Sequence, residues 1–110
     1  MFENCKYLVK APELPVTTLA DFCYENMFSG CTGLTTIPSN LLPATTLADS
    51  CYYGMFNGCT SLTTVPSNLL PATTLGSNCY ENMFSGCTSL TTIPKLPATT
   101  LASYCYQNMF

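Results

Sequence analysis

The chain has 110 residues, of which 47% are apolar and 8% charged, with a formal net charge of −3 and no histidine. This composition excludes a disordered chain, which combines low hydrophobicity with high charge. It also argues against nucleic acid as a partner, because phosphate binding needs clustered basic side chains. No apolar run approaches the ~20 residues that cross a bilayer, so we expect no membrane span.

An internal repeat organises the whole sequence. The dipeptide Met-Phe recurs at residues 1, 27, 55, 83 and 109, which gives repeats of 26, 28, 28 and 26 residues. We number them repeat 1 (1–26), repeat 2 (27–54), repeat 3 (55–82) and repeat 4 (83–108), with a partial fifth unit at 109. Between two prolines, repeats 2 and 3 have four residues (39–42 and 67–70) where repeats 1 and 4 have two (13–14 and 95–96). We therefore predict a single array over 1–110, as a fragment of a longer protein.

Each repeat is predicted to contain one short helix. Around the boundary of repeats 2 and 3, Asp49 or Ser50 is a suitable N-cap, and Gly58 supplies a left-handed stop. Cys51 and Cys59 are eight residues apart and fall on one stripe of such a helix. The stripe Tyr-x-x-Met-Phe recurs in each repeat, which indicates core packing rather than a ligand platform.

Two extended segments follow the helix in each repeat. Residues 62–66 are rich in β-branched side chains and end at a proline, which favours a short strand. Residues 71–75 have the same apolar spacing of three. Such short elements bury a core only by stacking, so we predict an α/β repeat solenoid. It is expected to be a right-handed, leucine-rich-repeat-like stack of about four turns, each with short strands and a short helix.

The repeat motif resembles that of a known family. The string Met-Phe-x-Gly-Cys-Thr-Ser-Leu-Thr-Thr-Ile/Val-Pro, followed by Leu-Pro-Ala-Thr-Thr-Leu-Ala-x-x-Cys-Tyr, is similar to the BspA-type leucine-rich repeats and Met-Phe repeats of bacterial surface proteins. The resemblance covers the whole chain. It implies a leucine-rich-repeat fold and an extracellular display role on a cell or phage virion surface, without catalytic residues. The second cysteine and the Leu-Pro-Ala-Thr-Thr segment depart from the family's usual repeat.

Eight cysteines form two columns that follow the repeat. They are Cys5, Cys31, Cys59 and Cys87 after Met-Phe, and Cys23, Cys51, Cys79 and Cys105 before tyrosine. A zinc site is not expected, because the chain has no histidine and no Cys-x-x-Cys motif. We predict that most are buried free thiols in the core, and disulfides between adjacent turns are the alternative.

Two candidate binding surfaces follow from comparing the repeats. One is a strand ladder of threonines that stacking would align: Thr35, Thr36, Thr63, Thr64, Thr91 and Thr92. Stacking would align the further pairs Thr45-Thr46, Thr73-Thr74 and Thr99-Thr100 in the same way. Its regular hydroxyls suit a regular ligand such as a glycan, although threonine is also a common exposed strand residue. The other is the variable helix face, represented by Phe22, Glu25, Tyr53, Glu81 and Tyr104. Its variation indicates either a binding surface or ordinary drift of exposed positions.

Catalysis is not predicted, because no histidine is present and the six carboxylates occupy different repeat positions. We expect no cofactor. Two functions remain: an extracellular module for binding or adhesion that recognises a protein or glycan, or a structural spacer or fibre segment. No polar capping repeat is visible at either end. The isolated chain is therefore expected to associate head to tail unless further repeats cover its end faces.

Overall fold

The computed structural model describes residues 2–110. These residues contain no helix, and their only β-structure is two isolated parallel bridges, Lys10 with Thr36 and Thr46 with Thr74. The predicted α/β solenoid of strands and helices is therefore wrong. The described chain consists of turns and coil in a compact body with a Cα radius of gyration of 12.4 Å. It contains no helix long and apolar enough to cross a membrane.

The segment predicted to be helical, which crosses each repeat boundary, is a series of turns, because every fourth residue in it has a left-handed backbone, as at Phe22, Asn26 and Gly30. A right-handed helix ends at a residue with positive φ, and Asn and Gly adopt this conformation at the least energetic cost. The φ angles lie between 50° and 76° at Asn4, Phe22, Asn26, Gly30, Ser50, Gly54, Gly58, Asn78, Asn82, Gly86, Tyr104 and Asn108.

Backbone hydrogen bonds in these turns alternate between two kinds of acceptor. From Cys23 to Cys31, every odd-numbered residue donates its N–H to the carbonyl three residues earlier. Every even-numbered residue from Phe22 to Gly30 donates instead to the next repeat, as in the 2.9 Å bond from Phe28 N to Met55 O. The same alternation recurs one and two repeats later. These turns therefore stack on one another without a helix or a regular sheet.

Columns of aromatic rings form the centre of the core. Rings one repeat apart stack nearly parallel, with centroids 5.5–5.6 Å apart in the phenylalanine column and 5.7–6.1 Å apart in the tyrosine column. The columns are Phe2, Phe28, Phe56, Phe84 and Phe110, and Tyr24, Tyr52, Tyr80 and Tyr106. The middle rings are fully buried, so each repeat covers the apolar face of its neighbour.

The two bridges form where a glycine allows a close approach of two backbones. A Cβ atom at Gly33 would lie 2.3 Å from the carbonyl oxygen of Lys6, and one at Gly76 would lie 2.5 Å from that of Ala48. Gly33 lies near the bridge at Thr36, and Gly76 lies near the bridge at Thr74. Serine stands at the positions of later repeats that correspond to Gly33, and alanine stands at the positions of the other repeats that correspond to Gly76. The sequence therefore determines where two extended segments can approach this closely.

One of the left-handed positions of repeat 1 is occupied by Phe22, a bulky residue that is 57% exposed. Asn tolerates this conformation better than Phe, and little burial is lost when the exposed ring is removed. We expect Phe22→Asn to raise the free energy of unfolding by about 1 kcal/mol in urea denaturation. Phe22→Ala is the control, because alanine also removes the ring but adopts a positive φ less readily than asparagine does. Equal stability of the two variants would contradict the role assigned to the backbone conformation.

Candidate functional site

Exposed threonines form two ladders along the stack. The first ladder consists of the predicted residues Thr35, Thr36, Thr63, Thr64, Thr91 and Thr92, all of them exposed. The second ladder, also exposed, consists of Thr17, Thr18, Thr45, Thr46, Thr73, Thr74, Thr99 and Thr100. The ladders lie on extended coil rather than on the predicted strands, apart from the two isolated bridges.

Several hydroxyls of the first ladder already join neighbouring repeats. Thr91 Oγ1 donates to the carbonyl of Thr63 at 2.9 Å, and Thr92 Oγ1 accepts from the N–H of Val65 at 3.2 Å. The hydroxyls of Thr63 and Thr64 have no hydrogen-bond partner within residues 2–110. Within the first ladder, these two side chains can therefore bind a ligand without breaking a hydrogen bond of the fold.

The second ladder is paired only between the two 28-residue repeats. There, Thr73 N and Thr74 N donate to Thr45 O at 3.1 and 3.2 Å, and Leu47 N donates to Thr74 O at 2.9 Å. Among the described residues, the corresponding groups make no such bonds between repeats 1 and 2 or between repeats 3 and 4. At both of these junctions a 26-residue repeat meets a 28-residue repeat, so the shorter segment does not follow its neighbour.

A groove opens at each junction between repeats of unequal length. The larger one, between repeats 1 and 2, has two lobes of about 670 and 540 Å³ that share Thr17 and Pro43. Polar groups of Glu13 and Asn40 lie in one lobe, and the threonine pairs 17–18 and 45–46 line the other. The groove between repeats 3 and 4, about 330 Å³, lies between residues 73–75 and 100–102. Volumes of this order are typical of ligand sites.

Apart from the threonine pairs 45–46, 73–74 and 99–100, the groove residues were not among the predicted site residues. The signal that could have found them is the two-residue difference in length between the prolines, which was interpreted only as a surface loop. When one of two stacked segments is two residues shorter, the two backbones lose their register. Some of their N–H and carbonyl groups are then left unpaired.

The residues of the predicted variable face do not share a helix face, because the helix is absent. Phe22, Glu25 and Tyr104 are exposed, whereas Tyr53 and Glu81 are half-buried. The latter two are held by asparagines: Asn82 Nδ2 donates to Tyr53 Oη at 3.1 Å, and Asn78 Nδ2 donates to Glu81 Oε2. Phe22 and Tyr104 occupy the same left-handed backbone position in their repeats, so this position primarily determines the conformation of the turn.

All eight cysteines are free thiols, and they are not equally accessible. Cys5 and Cys23 in repeat 1 are exposed and Cys87 is half-buried, whereas the buried thiols are Cys31, Cys51, Cys59, Cys79 and Cys105. In one column, Cys31, Cys59 and Cys87 each donate to a carbonyl of the preceding layer, as Cys59 Sγ does to Phe28 O at 3.2 Å. No group of three potential metal ligands occurs within residues 2–110. The columns therefore act as small core residues that also bond to the backbone.

Burial suppresses ionisation along the core. Desolvation, followed by the nearby thiols, raises the pKa of Cys51, Cys59 and Cys79 to about 12. Desolvation also raises the pKa of Tyr52 and Tyr80, whose buried hydroxyls have no hydrogen-bond partner in the structure. Neutral thiols are weak nucleophiles and weak metal ligands, so the chemistry of these groups is confined to packing.

Thiol ionisation should make the protein less stable at alkaline pH. In the unfolded chain the thiols ionise near pH 9, but in the folded chain only near 12, so the native state holds more protons between these values. Stability is therefore complete below about pH 9 and falls as the pH rises toward 12. We expect a loss of roughly 1–2 kcal/mol for each of Cys51, Cys59 and Cys79 by about pH 10.5 in urea denaturation. Cys59→Ala should reduce this pH dependence, and an unchanged slope would contradict the assignment.

No family model, no curated protein and no solved structure matches the chain.

Proposed function

We propose that the chain is a non-catalytic extracellular repeat module that binds or adheres to a protein or glycan on a bacterial or phage surface. The observation that carries the proposal is the pair of exposed threonine ladders with grooves at two repeat junctions. Together they give the stack an elongated, uncharged surface with regular hydroxyls. Such a surface suits an extended ligand better than a small substrate.

The chemistry of the remaining groups supports a binding role over catalysis. The most strongly shifted ionisable groups are core thiols and tyrosines that burial keeps neutral. The described carboxylates form no cluster with other potential ligands. A site of this kind supplies hydrogen bonds and apolar contact, which is what recognition requires.

The extracellular location is proposed from the resemblance of the Met-Phe motif to the repeats of bacterial surface proteins. Low charge and abundant threonine fit a surface that contacts its partner by neutral hydrogen bonds. With only three lysines, the chain has little capacity to neutralise phosphates, so nucleic acid is not proposed as a partner.

The second candidate is a structural spacer or fibre segment, and the hydrogen-bond pattern favours it. In repeat 4, the N–H groups of Tyr106 and Asn108 have no backbone acceptor among the described residues. In repeat 1, the carbonyls of Cys23 and Glu25 have no backbone donor there. Between the inner repeats, N–H groups of one repeat donate to carbonyls of the next. By the same pairing, a further repeat or another copy could bind head to tail to the N–H groups of repeat 4 or to the carbonyls of repeat 1.

The binding proposal can be tested on the first ladder. We expect the double variant Thr63→Ala, Thr64→Ala to weaken adhesion of the purified chain to immobilised glycans or cell-surface proteins by about tenfold, because two free hydroxyls are lost. Thr60→Ala is the matched control, since Thr60 is exposed but lies outside both ladders. Binding would be measured by biolayer interferometry, and folding by urea denaturation.

The outcome separates the two candidates. If ladder and control variants bind equally, the first ladder is not the recognition surface. If the chain binds no surface and light scattering shows concentration-dependent assembly, the spacer or fibre function replaces the binding function.

A further inference from the structure

We infer that the groove between repeats 1 and 2 binds an extended peptide, which adds alongside the edge of repeat 2 at residues 45–47. This inference rests on the proposed binding function and names the partner of one of its surfaces. The occupant is a segment of a partner protein with small and hydroxylated side chains. It docks through its backbone, in the same parallel sense as the bridge between Thr46 and Thr74.

The edge has the hydrogen-bonding groups that such a peptide needs. Between repeats 2 and 3, the groups that correspond to Thr45 N, Thr46 N and Thr46 O are Thr73 N, Thr74 N and Thr74 O. All three of them are paired with repeat 2. Toward repeat 1, these three groups of Thr45 and Thr46 have no partner among the described residues. The edge therefore presents two donors and one acceptor at the spacing that pairs with an extended chain of this same sequence type.

The open junction is encoded by sequence. Repeat 1 lacks two of the residues that lie between the prolines of repeat 2, so residues 17–19 do not reach the edge. In addition, repeat 2 has Ala48 where repeat 3 has Gly76, and a Cβ at Gly76 would lie 2.5 Å from the Ala48 carbonyl. A methyl group at this position therefore opposes the close approach seen between repeats 2 and 3, and a peptide that pairs with residues 45–47 has to end or turn away after its leucine.

The walls of the groove favour a peptide over a sugar polymer. The lobe at Thr45 has hydroxyls of Thr17 and Thr46 at its rim and the apolar side chains of Leu19 and Leu47 beside them. No aromatic ring lines either lobe as a platform for a sugar. Unpaired backbone groups beside small apolar pockets are the features by which an exposed edge recognises an added strand.

The probe is a synthetic peptide with the sequence of residues 71–75, acetyl-Pro-Ala-Thr-Thr-Leu-amide, which ends before the Ala48 methyl. In the parallel register, its first threonine carbonyl accepts from Thr45 and Thr46, and its leucine N–H donates to Thr46 O. Titrated into the full 110-residue chain, it should produce saturable shifts of the amide signals of Thr45 and Thr46 in ¹H–¹⁵N spectra.

Two modified peptides test the backbone pairing. N-methylation of the leucine removes the donor to Thr46 O and should weaken binding by at least about tenfold. N-methylation of the second threonine is the control, because the N–H of its counterpart Thr46 donates no inter-repeat backbone bond within residues 2–110. Equal affinities of the two modified peptides would overturn the pairing.

A closed-junction variant tests the groove itself. Replacing Glu13-Leu14 by Ser-Asn-Leu-Leu, together with Ala48→Gly, gives repeat 1 the length and the close approach of repeat 3. The folded variant should lose the peptide-induced shifts, and retained shifts would overturn the proposal. Should the variant not fold, the modified peptides alone decide. Absence of any shift in the native chain, or shifts produced only by oligosaccharides, overturns the peptide assignment, while glycan or cell-surface adhesion would leave the wider binding function standing.

Discussion

Half of the backbone N–H groups in the inner turn segments donate to the next repeat rather than within their own turn. The left-handed residue at every fourth position keeps the odd-numbered N–H groups within the turn and directs the even-numbered ones outward, as from Phe28 to Met55. Buried backbone groups without partners are strongly destabilising. A single repeat therefore cannot form this structure alone, and the stacked Phe and Tyr columns follow from the register that the hydrogen bonds impose.

The extended segments are under a weaker constraint, and this is where the repeats differ. Along the second ladder, the backbones pair between repeats 2 and 3, where Gly76 removes a side chain from the contact, and they separate at the two junctions where a 26-residue repeat meets a 28-residue repeat. The turn side thus maintains the stack while the other side varies between closed and open junctions. The ladders and grooves suit the proposed recognition role, because binding there would leave the inter-repeat bonds of the turns intact.

The sequence allowed the repeat period and the core stripe to be predicted, but not the local conformation. Residues one period apart, such as Phe28 and Phe56, do stack in the core. The predicted helix was wrong because the spacing of four between Cys51, Met55 and Cys59 fits both a helix and a four-residue turn repeat. Columns restricted to Asn and Gly, such as Asn26, Gly54 and Asn82, distinguish the two, since they mark a left-handed backbone. The grooves could not be predicted from the repeat period, because they arise where two adjacent repeats differ in length.

The most direct test of this account is the identification of hydrogen-bond acceptors by NMR, through couplings between an amide nitrogen and the carbonyl carbon of its acceptor. The account predicts that the N–H of Phe28 couples to the carbonyl of Met55, and that the N–H of Phe56 couples to the carbonyl of Met83. Meanwhile the N–H of Met55 should couple to the carbonyl of Tyr52, three residues earlier. Couplings of successive N–H groups to carbonyls four residues earlier, as in an α-helix, would contradict it.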